Sequence, residues 1–254
     1  MKIFAQFFAV FVTALFFLGA GPVVRAQGGP PMITDDPGTP GDGHWEVNVA
    51  LTTERRAGEQ VSELPLLDVN YGIGDRLQLK YEAAWLRLSH ESGRHDGLSN
   101  SLVGVKWRFY DAGEKAWQAS VYPQIEFNNP GSHSHRRGLA DHGTSLILPF
   151  QVMKDFGGIS FNADAGYVRH HEGEDDCFGG VVVGRELKHG LELAMELHWE
   201  GDVNFRAGAV TANVGVRIAL SDKCSLLASV GRELHNGHEP RATFIGYFGL
   251  QMAL

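Results

Sequence analysis

Past its first 26 residues the chain has no second apolar run long enough to cross a membrane as a helix, and after residue 40 no stretch carries apolar residues at helical spacing. A helical membrane protein is thereby excluded. Cysteine is scarce, with only Cys177 and Cys224, so no disulfide-stapled scaffold is available. GxSxG, HExxH and CxxC are all missing, which removes the usual signatures of an esterase elbow, a zinc protease and a redox dithiol. Positive charge is also short: 22 Lys and Arg stand against 30 Asp and Glu, a formal charge of −8. Removal of Lys2 and Arg25 with the leader described next makes it −10. Such a balance argues against a nucleic-acid partner.

What is present begins with a leader. Lys2 is followed by the apolar stretch IFAQFFAVFVTALFFL, and Val24-Arg25-Ala26 ends in small residues acceptable to a signal peptidase. Residues 1–26 are expected to be a cleaved signal peptide. Residues 27–42, rich in Pro and Gly, are expected to be a flexible periplasmic segment, with docking inside the lumen as the alternative. From Gly43 to Leu254 the chain reads as about twelve alternating segments, each about 9 to 13 residues long.

Trp45, Val47, Val49 and Leu51 alternate with Glu46, Asn48, Ala50 and Thr52, and the last segment presents Phe244, Phe248, Leu250, Met252 and Leu254 on one face. Every second connection is short, such as GIGD at 72–75 and LSDK at 220–223. The intervening ones read as longer and polar, such as HESGRHDGL at 90–98, NNPGSHSHRRGLADHG at 128–143 and HHEGEDD at 170–176. Tight turns at one end and larger loops at the other suit an all-β, up-and-down antiparallel transmembrane barrel of about 12 strands. A secreted sandwich or jelly roll is the alternative, but nothing in Greek-key crossings demands that rhythm. In lipid an unpaired backbone edge costs several kcal/mol, so such a sheet must close. In such a barrel Cys177 and Cys224 fall at opposite ends of the wall, too far apart for a disulfide, and two free thiols are expected.

ITDDPGTPGDGHWEVNVAL, placed just after a signal peptide and leading into an alternating barrel, resembles the opening of the outer-membrane family named for the meta-cleavage pathway of phenol degradation. The C-terminal YFGLQMAL is similar to the strand by which the barrel-assembly machinery recognises its clients, although it ends in Leu254 rather than an aromatic residue. The resemblance implies an outer-membrane location, lipid around the wall, and passage of aromatic or other small organic solutes. It supplies no catalytic residue and no cofactor.

Two groups of residues are candidates for function. The inward face holds an acidic stripe, Glu192, Glu196, His198 and Glu200, spanning about 26 Å at about 3.3 Å per residue. It suits a selectivity role, or pairing with Arg217 and Arg185. Lys80, Lys106 and Arg108 are expected to form an ion-pair network with Glu82 and Glu126, and Asp164 on another strand is a further inward-facing candidate. The second group is the loop histidines, of which His133, His135, His170 and His171 are the candidates for metal capture. A closed structural or metal-capturing barrel, or an outer-membrane lipid hydrolase, are the alternatives to a channel.

Overall fold

The computed structural model describes residues 29–113, 116–140, 143–237 and 240–254. The leader expected at residues 1–26 lies outside the described residues. The remaining chain is almost wholly strand: β1 (Trp45–Arg56), β2 (Glu59–Ile73), β3 (Leu77–His90), β4 (Gly93–Asp111), β5 (Gln118–Val121), β6 (Gln124–Phe127), β7 (Thr144–Asp155), β8 (Ile159–His170), β9 (Asp176–Lys188), β10 (Leu191–Asp202), β11 (Gly208–Ser221), β12 (Cys224–Asn236) and β13 (Phe244–Ala253). One single-turn 3-10 helix occupies Ser134–Arg137.

Each strand pairs antiparallel with its neighbours in the chain, and β1 pairs with β13 from Glu46↔Ala253 to Arg55↔Phe244, so no edge is left. β5 and β6 occupy one position in the wall, both lying between β4 and β7. The interruption is Tyr122-Pro123: proline has no N–H to give the ladder, yet Val105 N–H still donates to Pro123 O and Tyr122 N–H to Pro149 O, each at 3.0 Å. Thirteen segments therefore make a closed barrel of twelve strands.

Strict alternation decides which way each side chain points. Trp45, Val49, Leu79, Tyr81, Trp85, Val105, Trp107, Ile125, Leu148, Phe150, Phe248 and Leu250 are all exposed on the outer face. Aromatics gather at its two ends. Trp45 lies 4.6 Å from Tyr71 and Trp117 lies 6.3 Å from Phe156 at the end holding the chain termini, while Trp199 stacks on Phe205 at 5.2 Å at the other. These are the interfacial girdles of a lipid-spanning barrel. The interior is polar, with Asn48, Asp68, Asn70, Gln78, Lys106, Gln118, Gln151, Asn162, Glu196 and Asn213 all buried. The burial pattern is thus inverted relative to a water-soluble sandwich, and a small buried apolar cluster inside sets Met32 against Val182 and Ala194.

Three expectations are corrected. The stretch 90–98 is not a long loop: β3 and β4 run on as a hairpin closed at His90↔Gly93, and His95 pairs with Leu88 inside the ladder. The polarity of HESGRHDGL reflects strands that project into water, since β4 has 19 residues, well beyond the 9 to 11 or so needed to cross hydrocarbon. The barrel wall begins at Trp45 rather than Gly43. The third concerns residues 29–42, which do not form a solvated tail; they enter the lumen. Cys177 and Cys224 are both free. They lie at opposite ends of the wall: Cys177 pairs with Gly201 at the outer end, and Cys224 with Met252 at the end of the chain termini.

Candidate functional site: the lumen and its strap

Residues 29–42 form a strap that leaves the rim at Gly43, whose N–H donates to Gly72 O at 3.1 Å, and turns up inside the barrel. Prolines and glycines deny it both helix and ladder, so its backbone donors must find partners elsewhere. The lumen provides them. Glu196 accepts from Ile33 N–H at 3.2 Å and Thr34 N–H at 2.6 Å, and also from the Asn213 amide at 2.6 Å. Asp164 accepts from Asp35 N–H at 3.2 Å. Lys106 Nζ donates to Asp36 O at 2.6 Å and pairs with Asp35 at 2.9 Å, while Gln151 donates to the same Asp35 oxygen at 3.0 Å. Arg217 donates to Pro30 O at 3.1 Å and to Gln251 at 2.9 Å, and Ser229 donates to Pro31 O at 2.8 Å. At the exit, Thr39 donates to Asp75 O at 3.0 Å and Asp42 accepts from Gly74 N–H at 2.7 Å.

Shape agrees with chemistry. Wall glycines make the grooves the strap lies in: a Cβ on Gly72 would come within 1.9 Å of Gly41 O, one on Gly180 within 1.9 Å of Thr34 Oγ1, and one on Gly215 within 2.2 Å of Met32 Cε. Burial pushes the Asp35 carboxyl up, but the neighbouring Lys106 and Lys80 ammonium groups outweigh it and hold it below the ordinary carboxylate range. The strap therefore sits as an anionic segment locked by a lysine, with its backbone capped by wall carboxylates.

Around the strap the lumen is not filled. A cavity of ≈ 470 Å³ runs beside it, reaching Asp68, Lys80, Glu82, Lys106, Tyr122, His198 and Arg217. Toward the loop end lie two more, of ≈ 760 Å³ and ≈ 400 Å³, which share Arg56, Val61 and Glu63. The larger shares Leu66 and Glu82 with the cavity beside the strap, and the smaller shares Ile33, His198 and Glu200 with it. Together the two outer cavities are lined by Glu54, Glu59, Glu63, Glu82, Glu126, Glu200 and Glu233, with Arg56 as the arginine among them. Arg56 is held by Glu54 at 2.5 Å and Glu233 at 2.8 Å. One wall of the larger cavity is aliphatic, formed by Val61, Leu66, Leu86, Leu88 and Leu102, and Leu139 from the 128–143 loop closes over it.

The inward candidates thus divide by height. Glu196, Asp164, Lys106 and Arg217 hold the strap. Glu82, Glu126 and Glu200 line the outer cavities. Glu192 is buried opposite Arg217 in the β10–β11 ladder. The expected network of Lys80, Lys106 and Arg108 with Glu82 and Glu126 is not assembled as one unit. Lys80 pairs with Glu82 at 2.8 Å and Asp68 at 3.4 Å. Glu126 accepts from Asn100 at 2.7 Å. Arg108 turns to the rim, bonding Asp75 O and pairing with Asp111 at 3.4 Å. It lies six residues along β4 from Leu102, the ladder partner of Glu126, a separation of about 20 Å that inward orientation alone does not reveal.

The histidines do not converge either, and among the described residues no three metal-binding side chains form a cluster. Both ring nitrogens of His170 are engaged, Nε2 with Asp176 at 2.9 Å and Nδ1 with Ser145 at 3.0 Å. His171 packs beside Gly143. His133 caps the 3-10 turn with φ 50°, and His135 lies within that turn. The nearby Asp175 accepts from the Tyr167 hydroxyl, which draws its carboxyl below the ordinary range.

No family model matches the chain, and no curated protein matches it in sequence. Solved structures do match in shape. The COG4313 outer membrane channel from Pseudomonas putida F1 superposes with a TM-score of 0.71 at 14% identity, over 86% of this chain and 98% of that one. The NanC porin gives 0.60 at 9% identity, over 81% and 98%, and the KdgM porin 0.54 at 10%, also over 81% and 98%. At such identities the likeness is one of architecture: the chain has the fold of the outer-membrane barrels.

Proposed function

We propose that this protein is an outer-membrane channel through which small solutes pass beside the strap, and that its outer vestibule favours cations over anions. The observation that carries the reading is the succession of three adjoining lumen cavities, which share lining residues from the loop end to the level of Lys106. Carboxylates dominate the outer part, and in a narrow low-dielectric passage one sign of charge concentrates its counter-ions. Glu59, Glu63 and Glu126 are the residues assigned to this bias. The aliphatic side chains set beside them, Leu86 next to Glu63 and Leu102 next to Glu126 in the ladder, suit the body of a small organic or aromatic solute. Likeness of fold to outer-membrane channels and porins supports the same reading. Residues 1–26 fit an export signal removed before assembly, and the C-terminal strand fits recognition by the assembly machinery; N-terminal sequencing of the purified barrel tests the first.

The decisive experiment is conductance across a planar bilayer in a salt gradient, joined with swelling of liposomes in solutes of graded size. A reversal potential of the cation-selective sign, moving toward zero in Glu59→Gln/Glu63→Gln/Glu126→Gln, is expected. The strap supports a second reading, a closed structural barrel. Absence of both current and swelling would leave that one standing and remove the channel.

A further inference from the structure

The outer wall is not uniform where it meets the outer end of the membrane. On β1, β13 and β12 the lipid-facing positions make an apolar panel that includes Val49, Leu250, Phe248, Val230 and Phe244, all exposed. Above it stand arginines. Arg55 of β1 lies directly beside Phe244 of β13. The β12–β13 ladder reaches Gly231↔Ile245, so Arg232, the next residue of β12, flanks Phe244 from the other side, and it pairs with Ala212 of β11. Neighbouring strands lie about 4.8 Å apart, which places the Cα atoms of Arg55 and Arg232 roughly 10 Å from each other. Arg241, just before β13, is exposed at the same end and donates to Leu234 O at 3.0 Å.

Two other arginines of this rim are already compensated. Arg87 and Arg94 share Asp96, at 2.6 and 3.2 Å. Among the described residues, Arg55 by contrast meets the neutral amide oxygen of Gln60 at 3.3 Å, and Arg241 a backbone carbonyl. No lipid-facing position of β1, β12 or β13 is a carboxylate. Guanidinium groups with neutral partners, over an apolar panel, present planar forks suited to phosphate oxygens.

We propose that this face binds a phosphorylated glycolipid of the outer leaflet, its phosphates held by Arg55, Arg232 and Arg241 and its acyl chains lying on Val230, Phe248 and Leu250. Three cationic forks set apart across two strand spacings suit a saccharide carrying more than one phosphate better than the single phosphodiester of a glycerophospholipid. The patch is at the end of the barrel opposite the chain termini, the end that faces outward in barrels of this kind.

Native mass spectrometry of the full barrel in detergent tests it, with bisphosphorylated lipid A, monophosphoryl lipid A and phosphatidylglycerol added in turn. Bisphosphorylated lipid A should be retained best, and Arg55→Gln/Arg232→Gln/Arg241→Gln should cut that retention about tenfold, the equivalent of about 1.4 kcal/mol. Arg87→Gln should leave it unchanged. Heat-modifiable migration on gels checks folding, and the corresponding triple Arg→Lys variant, which keeps the charge, should lose less than the glutamine variant. Equal retention by the native and glutamine proteins, or equal retention of phosphatidylglycerol, would overturn the proposal.

Discussion

Glu196 on β10 and Thr34 on the strap are joined by a 2.6 Å hydrogen bond from the Thr34 backbone N–H, and the other Glu196 oxygen receives Ile33 N–H at 3.2 Å. One wall carboxylate thus caps two successive backbone donors of a segment that can form neither helix nor sheet. Both residues are buried, Thr34 at 0% and Glu196 at 1% exposure, so neither group can turn to water instead.

Glu196→Gln preserves volume and replaces one acceptor oxygen by an amide donor. Three N–H groups now reach that carboxylate, from Ile33, Thr34 and Asn213, and the new NH2 must face at least one of them. Leaving a buried donor unsatisfied costs about 1 to 3 kcal/mol. The expected result is a strap that leaves its seat part of the time, seen as larger and noisier single-channel current with normal barrel folding. Current identical to the native protein would mean that the strap is held without Glu196.

Lys106 is the electrostatic lock. Its Nζ serves both Asp35 and the Asp36 carbonyl, and it stands 4.7 Å over the Tyr122 ring. Lys106→Met keeps the length but leaves the Asp35 carboxylate with Gln151 and the more distant Lys80 alone; breaking a fully buried pair costs about 3 to 5 kcal/mol, and the 30% exposure of Asp35 puts this one toward the lower end. Lys106→Met should therefore open the lumen more than Glu196→Gln does. Combining it with Asp35→Asn should restore part of the native conductance, because the stranded charge is gone; no restoration would argue that the pair does not act as a unit.

Much of the wall was legible in the sequence because a period of two has only two outcomes for each side chain. The outward set from Trp45 to Leu51 and the inward set from Glu192 to Glu200 both stand where alternation puts them. Hairpin reach was less legible. Polar strands that project into water and polar loops have the same composition, which is why 90–98 read as a loop. The strap was hardest, since what it offers the wall is mostly its own backbone N–H and C=O groups, and a TDDPGTPG sequence looks the same free or docked. A usable signal was glycine at inward positions: Gly72 and Gly215 break polar faces, Gly180 stands between inward Phe178 and Val182, and each makes room for the strap.

Gly72 gives the sharpest steric test. Its missing Cβ would lie 1.9 Å from Gly41 O, 2.6 Å from Gly41 C and 2.9 Å from Gly41 N, all backbone atoms that cannot rotate aside. Alanine is otherwise better suited than glycine to a strand interior by about 0.5 to 1 kcal/mol. Gly72→Ala is thus expected to leave the barrel folded while driving the strap from the wall at its exit. Increased cleavage of the strap by added protease in detergent would report this. Cleavage at the native rate would show that the strap accommodates a methyl there.

In the proposed channel the outer loop is the remaining barrier, and Leu139 holds it down. Leu139 is 2% exposed, and together with Arg137, which donates to Asp96 O at 2.9 Å, it fastens the 128–143 loop against β4 beside Gly97. Truncating a buried leucine costs about 2 to 5 kcal/mol, and a polar hydroxyl in its place has little reason to stay in an aliphatic pocket. In Leu139→Ser the loop should lift from the ≈ 760 Å³ vestibule and admit larger solutes in liposome swelling. Since the strap lies deeper and touches none of these residues, the same variant should leave strap proteolysis at the native rate. An unchanged size limit in Leu139→Ser, beside a raised one in Gly72→Ala, would place the sieve at the strap alone; the reverse would place it at the loop.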